Sequence, residues 1–153
     1  MYSRDKHTQL KGLHGLGQIR IRSALNELNL ARSNVQALKQ RLEDTERDIA
    51  QLDRERESLF EKHRGITDRE GLFSLRRRAS MLEIQRVDLS LARVQLDSNI
   101  EIAAKEASLA QAAVAAARRD RDKLEHVSRL WQREEKIHMH LQEEIDGTGG
   151  IPV

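Results

Sequence analysis

Cysteine is absent from this chain, proline occurs once, and only four residues are aromatic: Tyr2, Phe60, Phe73 and Trp131. Without cysteine there is no disulfide framework and no thiolate metal site. So few aromatics leave out the large side chains that fill a compact core. Glycine is confined to Gly12, Gly15 and Gly17, to Gly65 and Gly71, and to Gly147, Gly149 and Gly150, with Pro152 beside the last group. Residues 18–64 and 72–146 therefore contain no helix breaker at all. Ordinary globular domains carry turn signals every ~10–20 residues, so α/β enzymes and β-sandwiches are excluded. No run of 18 apolar residues exists, and nothing is expected to span a membrane. The N-terminus lacks an apolar stretch of the secretory type. With 27 basic and 25 acidic residues, the net charge of +2 does not point to nucleic acid.

What remains is periodic. In the first breaker-free stretch Ile21, Leu28, Val35, Leu42, Ile49 and Arg56 fall seven apart. Ala24, Ala31, Leu38, Thr45, Leu52 and Leu59 form the companion row. Only Arg56 and Thr45 are not apolar. A mean step of ~3.5 residues specifies a left-handed two-helix seam. Glu43 and Arg47 stand at i,i+4, where they could pair. The second stretch repeats the pattern in Leu75, Leu82, Leu89, Leu96, Ala103, Ala110, Ala117, Leu124 and Trp131. Its companion row is Ala79, Arg86, Arg93, Ile100, Ala107, Val114, Arg121 and Ser128. The three arginines in that row either pack their stems and send their heads to water, or specify register. Ile84, Val87, Leu91 and Val94 widen the stripe, so this helix has apolar surface for more than one neighbour.

Between the stretches, Gly65 to Gly71 reads as a turn. Thr67 and Glu70 have capping-box spacing, which restarts a helix near Asp68. A connection this short makes the helices antiparallel neighbours. The expected fold is all-α: a long two-helix antiparallel coiled-coil hairpin with unequal helices. Residues 1–146 form one unit, with helix 1 about 18–64, a turn at 65–71, helix 2 about 72–146, and a disordered tail at 147–153. Folding about residue 66 pairs positions whose numbers sum to roughly 132, which sets Ala24 and Ala31 opposite Ala103, Ala107 and Ala110. At ~1.5 Å per residue the helices are roughly 70 and 110 Å long, so helix 2 overhangs from about residue 112 unless helix 1 extends through its glycines. Each glycine costs about 1 kcal/mol against Ala, so a kinked or fraying start is expected.

The aromatics mark the candidate contact sites. Phe60 and Phe73 flank the turn, amid Lys62, Arg64, Arg69 and Arg76 to Arg78, where they either plug the hairpin end or anchor a partner. Trp131 falls on the leucine row within the expected overhang, where either an external partner covers it or it packs within the chain. Other motifs carry little. Gly12, Gly15 and Gly17 lack the preceding strand and the lysine of a phosphate loop. Glu135 and His138 have di-iron spacing, but in one copy, where two are needed. His138 and His140 point to different faces, and Arg77-Arg78-Ala79-Ser80 is a chance match to a kinase site. The arginine run reads as a solvated face. No nucleophile, base and orienting group stand together, so a non-enzyme without cofactor or metal is expected.

An antiparallel coiled coil of about 150 residues, with a central turn and the stretch Leu130-Trp131-Gln132-Arg133-Glu134-Glu135-Lys136 near its C-terminus, resembles the type III secretion central-stalk family. That family comprises YscO and HrpO of injectisomes, with flagellar FliJ as a relative. The likeness covers most of residues 18–146, and the arginine- and alanine-rich shaft looks most like plant-pathogen or symbiont members. The cluster Gly12 to Gly17 departs from the pattern. The resemblance implies a cytoplasmic protein at the inner-membrane base of a secretion apparatus, monomeric when isolated. Its terminal end would enter a hexameric secretion ATPase, its turn end would reach an export-gate membrane protein, and secretion chaperones would be further partners. Nucleic acid and direct membrane insertion are not implied. Mapped by architecture, the ATPase end is residues 1–25 and 115–146, with Arg129, Trp131 and Arg133 as contacts. The turn-end contacts are Phe60, Arg64, Leu72, Phe73 and Arg76. Two other classes share the composition: a prefoldin-like holdase, and a scaffold dimerising through Ile84, Val87, Leu91 and Val94.

Overall fold

A computed structural model describes the backbone of residues 2–65 and 68–149 and the side chains of 4–65 and 68–147. Helix α1 runs Tyr2–Lys62 and helix α2 runs Arg69–Gly149, and no strand occurs among the described residues. The two helices pack against each other as an all-α hairpin. Residues group into two compact units. One comprises 1–29 with 109–153, and the other 30–108. Each draws its seam from both helices.

In the unit of residues 30–108, Ile49, Leu59 and Ala103 are buried. The remaining row residues of α1 there, from Ala31 to Leu52, are half-buried, and Arg56 alone is exposed. From α2, Leu75, Ala79, Leu82, Leu89, Leu96, Ile100 and Ala107 are half-buried. Burial thus follows the heptad, because an apolar residue every ~3.5 positions keeps one face turned to the partner helix. Thr45, the polar member of its row, donates its hydroxyl to the Arg41 carbonyl at 2.8 Å and so leaves no unsatisfied group. Glu43 and Arg47 are both exposed and form no ion pair among the described residues.

Arg86 crosses the seam and donates from Nε to Asp53 Oδ1 at 2.8 Å. Residue numbers 53 and 86 sum to 139. The register therefore differs from the expected 132 by about one heptad. Sliding two heptad helices by seven residues restores every apolar match, so the seam alone does not choose between these alignments. The observed one places Ala31 level with Ala107, and Val35 level with Ala103. Ala31 thus still meets a small residue, while at the next level the larger Val35 meets Ala103.

The connection is shorter than expected. α1 ends at Lys62, where the Arg64 N–H donates to the Glu61 carbonyl at 3.3 Å and Gly65 takes φ +93°. Glycine is needed there because a Cβ is strained in the left-handed region. His63 Nδ1 lies 2.8 Å from the Leu59 carbonyl and donates to one of the orphan acceptors of the last turn. α2 begins at Arg69. Its first bond runs from the Leu72 N–H to the Asp68 carbonyl at 3.0 Å, so Asp68 is the N-cap and Gly71 lies inside the helix. The Thr67 half of the expected capping box lies outside the described residues.

In the unit of residues 1–29 with 109–153, Leu28 and Val114 are buried. Helix α1 starts at Tyr2, not near residue 18, and passes through Gly12, Gly15 and Gly17 unbroken. Tertiary packing overrides the glycine penalty. Gly17 faces α2, where an added Cβ would sit 4.0 Å from Leu124 Cδ1. Further along, His7 and Lys6 both reach side chains of α2. The expected overhang of helix 2 from residue 112 is accordingly corrected: α1 runs beside it. Gly147 to Gly149 belong to α2, so the disordered tail expected from 147 does not start there. Residues 150–153 lie outside the described residues.

Candidate functional site

Within residues 30–108 the connection end carries an apolar hollow of about 530 Å³, lined by Phe60, Leu72, Phe73, Leu75, Ala79 and the stems of Arg69 and Arg76. Phe60 comes from the last full turn of α1, and the other residues come from the first three turns of α2. Heptad spacing places Leu72, Leu75 and Ala79 on the two rows of the seam, while Phe73 falls off them. Phe73 is 67% exposed, Leu72 49% and Phe60 46%. The rings do not plug the end; they stand open. A second hollow, lined by Arg69, Glu70, Ser74 and Arg77, lies on the other side of Phe73. Arg56 holds its guanidinium carbon 5.9 Å from the centre of the Phe60 ring, a cation–π contact at an exposed site.

Of the five residues expected at this end, the hollow brings together Phe60, Leu72, Phe73 and Arg76. Arg64 sits in the connection and takes no part. Arg69, one of the cations noted around the turn, also lines the hollow, and Arg56 was missed. Arg56 carried a signal, since it breaks an otherwise apolar row four residues before Phe60. The arrangement offers an apolar floor with cationic walls, which suits an acidic segment bearing an aliphatic or aromatic anchor.

Within residues 1–29 and 109–153, Trp131 lies half-buried on the inner row of α2. The Lys6 ammonium stands 5.0 Å from its ring centre. One turn on, His7 Nε2 and Glu135 Oε2 are 3.1 Å apart. With Leu10, Ser128 and His138 these residues border a cavity of about 600 Å³. Trp131 is thus partnered by α1 from within the chain, because α1 starts early enough to reach it. Arg129 and Arg133 are exposed and do not border the cavity. Glu135, the first half of the di-iron-like spacing, is engaged by His7. Among the described residues no three His, Asp or Glu side chains are disposed to hold a metal ion. Lys6 and His7 could have been found only by continuing the heptad back through the glycines, which puts position 7 on the seam and position 6 beside it.

The three arginines of the companion row behave differently. Arg86 pairs across the seam with Asp53, Arg121 pairs with its neighbour Asp122 at 3.4 Å, and Arg93 is exposed. Among the described residues no helix is long and apolar enough to cross a membrane. Comparison of the chain with protein-family models, with curated proteins and with solved structures returns no match.

Proposed function

We propose that this chain is a non-catalytic stalk of a type III secretion ATPase complex. Its terminal unit inserts into the hexameric ATPase at the inner-membrane base, and its connection end engages the export gate or a secretion chaperone. The observation that carries the reading is the division of labour along one hairpin. Aliphatic side chains close the seam between the helices, whereas exposed aromatic and cationic groups gather around Phe60, Phe73 and Arg76. A protein built to bridge two machines needs a stiff body and adhesive ends; a protein built for chemistry needs convergent reactive groups. The terminal unit supports the reading through the Lys6–Trp131 and His7–Glu135 contacts, which tie α1 to α2 where insertion would load them.

The test is the activity of the cognate ATPase. Purified chain added to that ATPase is expected to raise its turnover or its hexamer fraction, and removal of residues 1–25 is expected to abolish the effect. An ATPase indifferent to the full chain sinks the proposal. Arg129→Glu with Arg133→Glu is expected to weaken stimulation and leave helicity unchanged, because both side chains are exposed.

A further inference from the structure

Helix α2 carries a second apolar seam that α1 does not cover. Ile84, Val87, Leu91 and Val94 are 62%, 53%, 64% and 64% exposed. They do not widen the inner stripe, as their sequence spacing suggested. Ile84 lies two residues after Leu82, and Leu91 two residues after Leu89, which is about 200° round the helix. The inner row is half-buried against α1 while this outer row faces water. Its steps of three, four and three residues are those of a heptad seam with Ile84 and Leu91 at a and Val87 and Val94 at d. A shallow hollow of about 270 Å³, lined by Ser80, Glu83, Ile84, Val87 and Asp88, opens beside its first two members. Met81 and Ile102, 57% and 55% exposed, extend apolar surface at either end.

Between residues 83 and 97 the charges at the e and g positions of this row have one sign. Glu83 and Asp97 take its g positions and Asp88 an e position, the places that choose a coiled-coil partner. Glu101 follows at the next d, where Lys105 stands 3.9 Å from it. The two cations in the same stretch, Arg86 and Arg93, belong to the inner companion row, and Arg86 is already bonded to Asp53. Glu83, Asp88 and Asp97 form no ion pair among the described residues. A second copy of the chain is therefore a poor occupant. Pairing the row with itself antiparallel, Ile84 on Val94 and Val87 on Leu91, sets Asp88 beside its own copy and Glu83 near Asp97. Pairing it parallel sets Glu83 near Asp88. Either way like charges face each other, at a cost in stability.

We propose that this face docks a basic amphipathic helix of another protein, with aliphatic residues at its a and d positions and Lys or Arg at e and g. Such a helix buries Ile84, Val87, Leu91 and Val94 and meets Glu83, Asp88 and Asp97 with opposite charge, completing a three-helix arrangement with α1 on the far face. The inference is independent of the stalk reading and uses neither end of the hairpin.

The experiment titrates the full chain into a fluorescent three-heptad peptide with Leu at a and d and Lys at e and g. A twin peptide carries Glu at e and g, and a third has the first composition in scrambled order. The Lys peptide is expected to bind with an affinity that falls as salt rises, and the other two are not. Leu91→Gln, which leaves the inner seam untouched, is expected to weaken binding at least roughly tenfold, the loss of one buried aliphatic contact. Glu83→Lys with Asp88→Lys is expected to swap the preference to the Glu peptide. Circular dichroism of both variants should match the parent. Equal binding of the Lys peptide to parent and Leu91→Gln overturns the proposal, since it marks adsorption elsewhere, and so does absence of binding. Self-association in sedimentation velocity that Leu91→Gln dissolves also overturns it, in favour of a second copy.

Discussion

The Lys6 ammonium sits 5.0 Å from the centre of the Trp131 ring, joining the first turns of α1 to the last third of α2. Cation–π contacts at partly exposed sites contribute ~0.5–1 kcal/mol, whereas burying an aromatic body contributes ~1.5–3 kcal/mol. Trp131→Ala is therefore expected to destabilise by about 2 kcal/mol, and Lys6→Ala by less than about 1 kcal/mol. In a double-mutant cycle followed by urea unfolding, the Lys6 effect should shrink once Trp131 is gone. Independent, additive losses would show that the two side chains do not interact in solution.

Gly12 and Gly15 lie inside α1 with open space where a Cβ would stand. Replacing an exposed helical glycine by alanine removes unfolded-chain entropy at no steric cost, gaining ~0.4–1 kcal/mol per site. Gly12→Ala with Gly15→Ala should raise both the helical circular dichroism signal and the midpoint of thermal unfolding. Gly65→Ala should do the reverse, losing about 1 kcal/mol, because φ +93° is left-handed. A destabilised Gly12/Gly15 double variant would mean that α1 does not hold its helix through these positions.

How far the sequence disclosed this structure depends on the residue. The seam was legible because Ile49, Leu59 and Ala103 sit on rows whose period is repeated often enough to average out exceptions. Its register was not, since Ile49 can meet Leu89 or a residue one heptad away with the same chemistry, and polar contacts such as the Asp53–Arg86 pair are what distinguish them. Phe60, Phe73 and Arg76 could be picked out by their place beside the glycines of the turn. Trp131 was found on its row, but its environment was misjudged, because local propensity at Gly12, Gly15 and Gly17 concealed that α1 reaches it. The outer face at Leu91 was visible as surplus hydrophobicity; telling a wider stripe from a separate face required the position of α1.

The Asp53–Arg86 bridge is short at 2.8 Å, yet its side chains are 49% and 46% exposed. Exposed pairs couple by ~0–1 kcal/mol because water screens them. A cycle of Asp53→Asn and Arg86→Gln should return a coupling below about 1 kcal/mol that shrinks as salt rises. The bridge should thus matter more for alignment than for stability. In the Arg86→Gln variant, the slide by seven residues would lose its main electrostatic opponent. Disulfide trapping between cysteine pairs placed for the native and the slid registers should show more of the slid form than the parent does. An unchanged ratio would assign register to the connection at 63–68.

Phe73 and Leu59 separate adhesion from stability. Leu59 is 7% exposed and Phe73 67%, although both flank the same connection. Truncating a buried leucine removes its transfer energy and leaves a void, costing ~2–5 kcal/mol. Truncating a ring that stands mostly in water removes little. Leu59→Ala should lower the unfolding midpoint markedly. Phe73→Ala should leave it within about 0.5 kcal/mol of the parent while weakening capture of whatever partner uses this end. The pair of measurements is decisive only together. If Phe73→Ala unfolds as easily as Leu59→Ala, the ring is part of the core in solution, and the hollow beside Phe60, Leu72 and Arg76 is filled by the chain itself rather than kept for a partner.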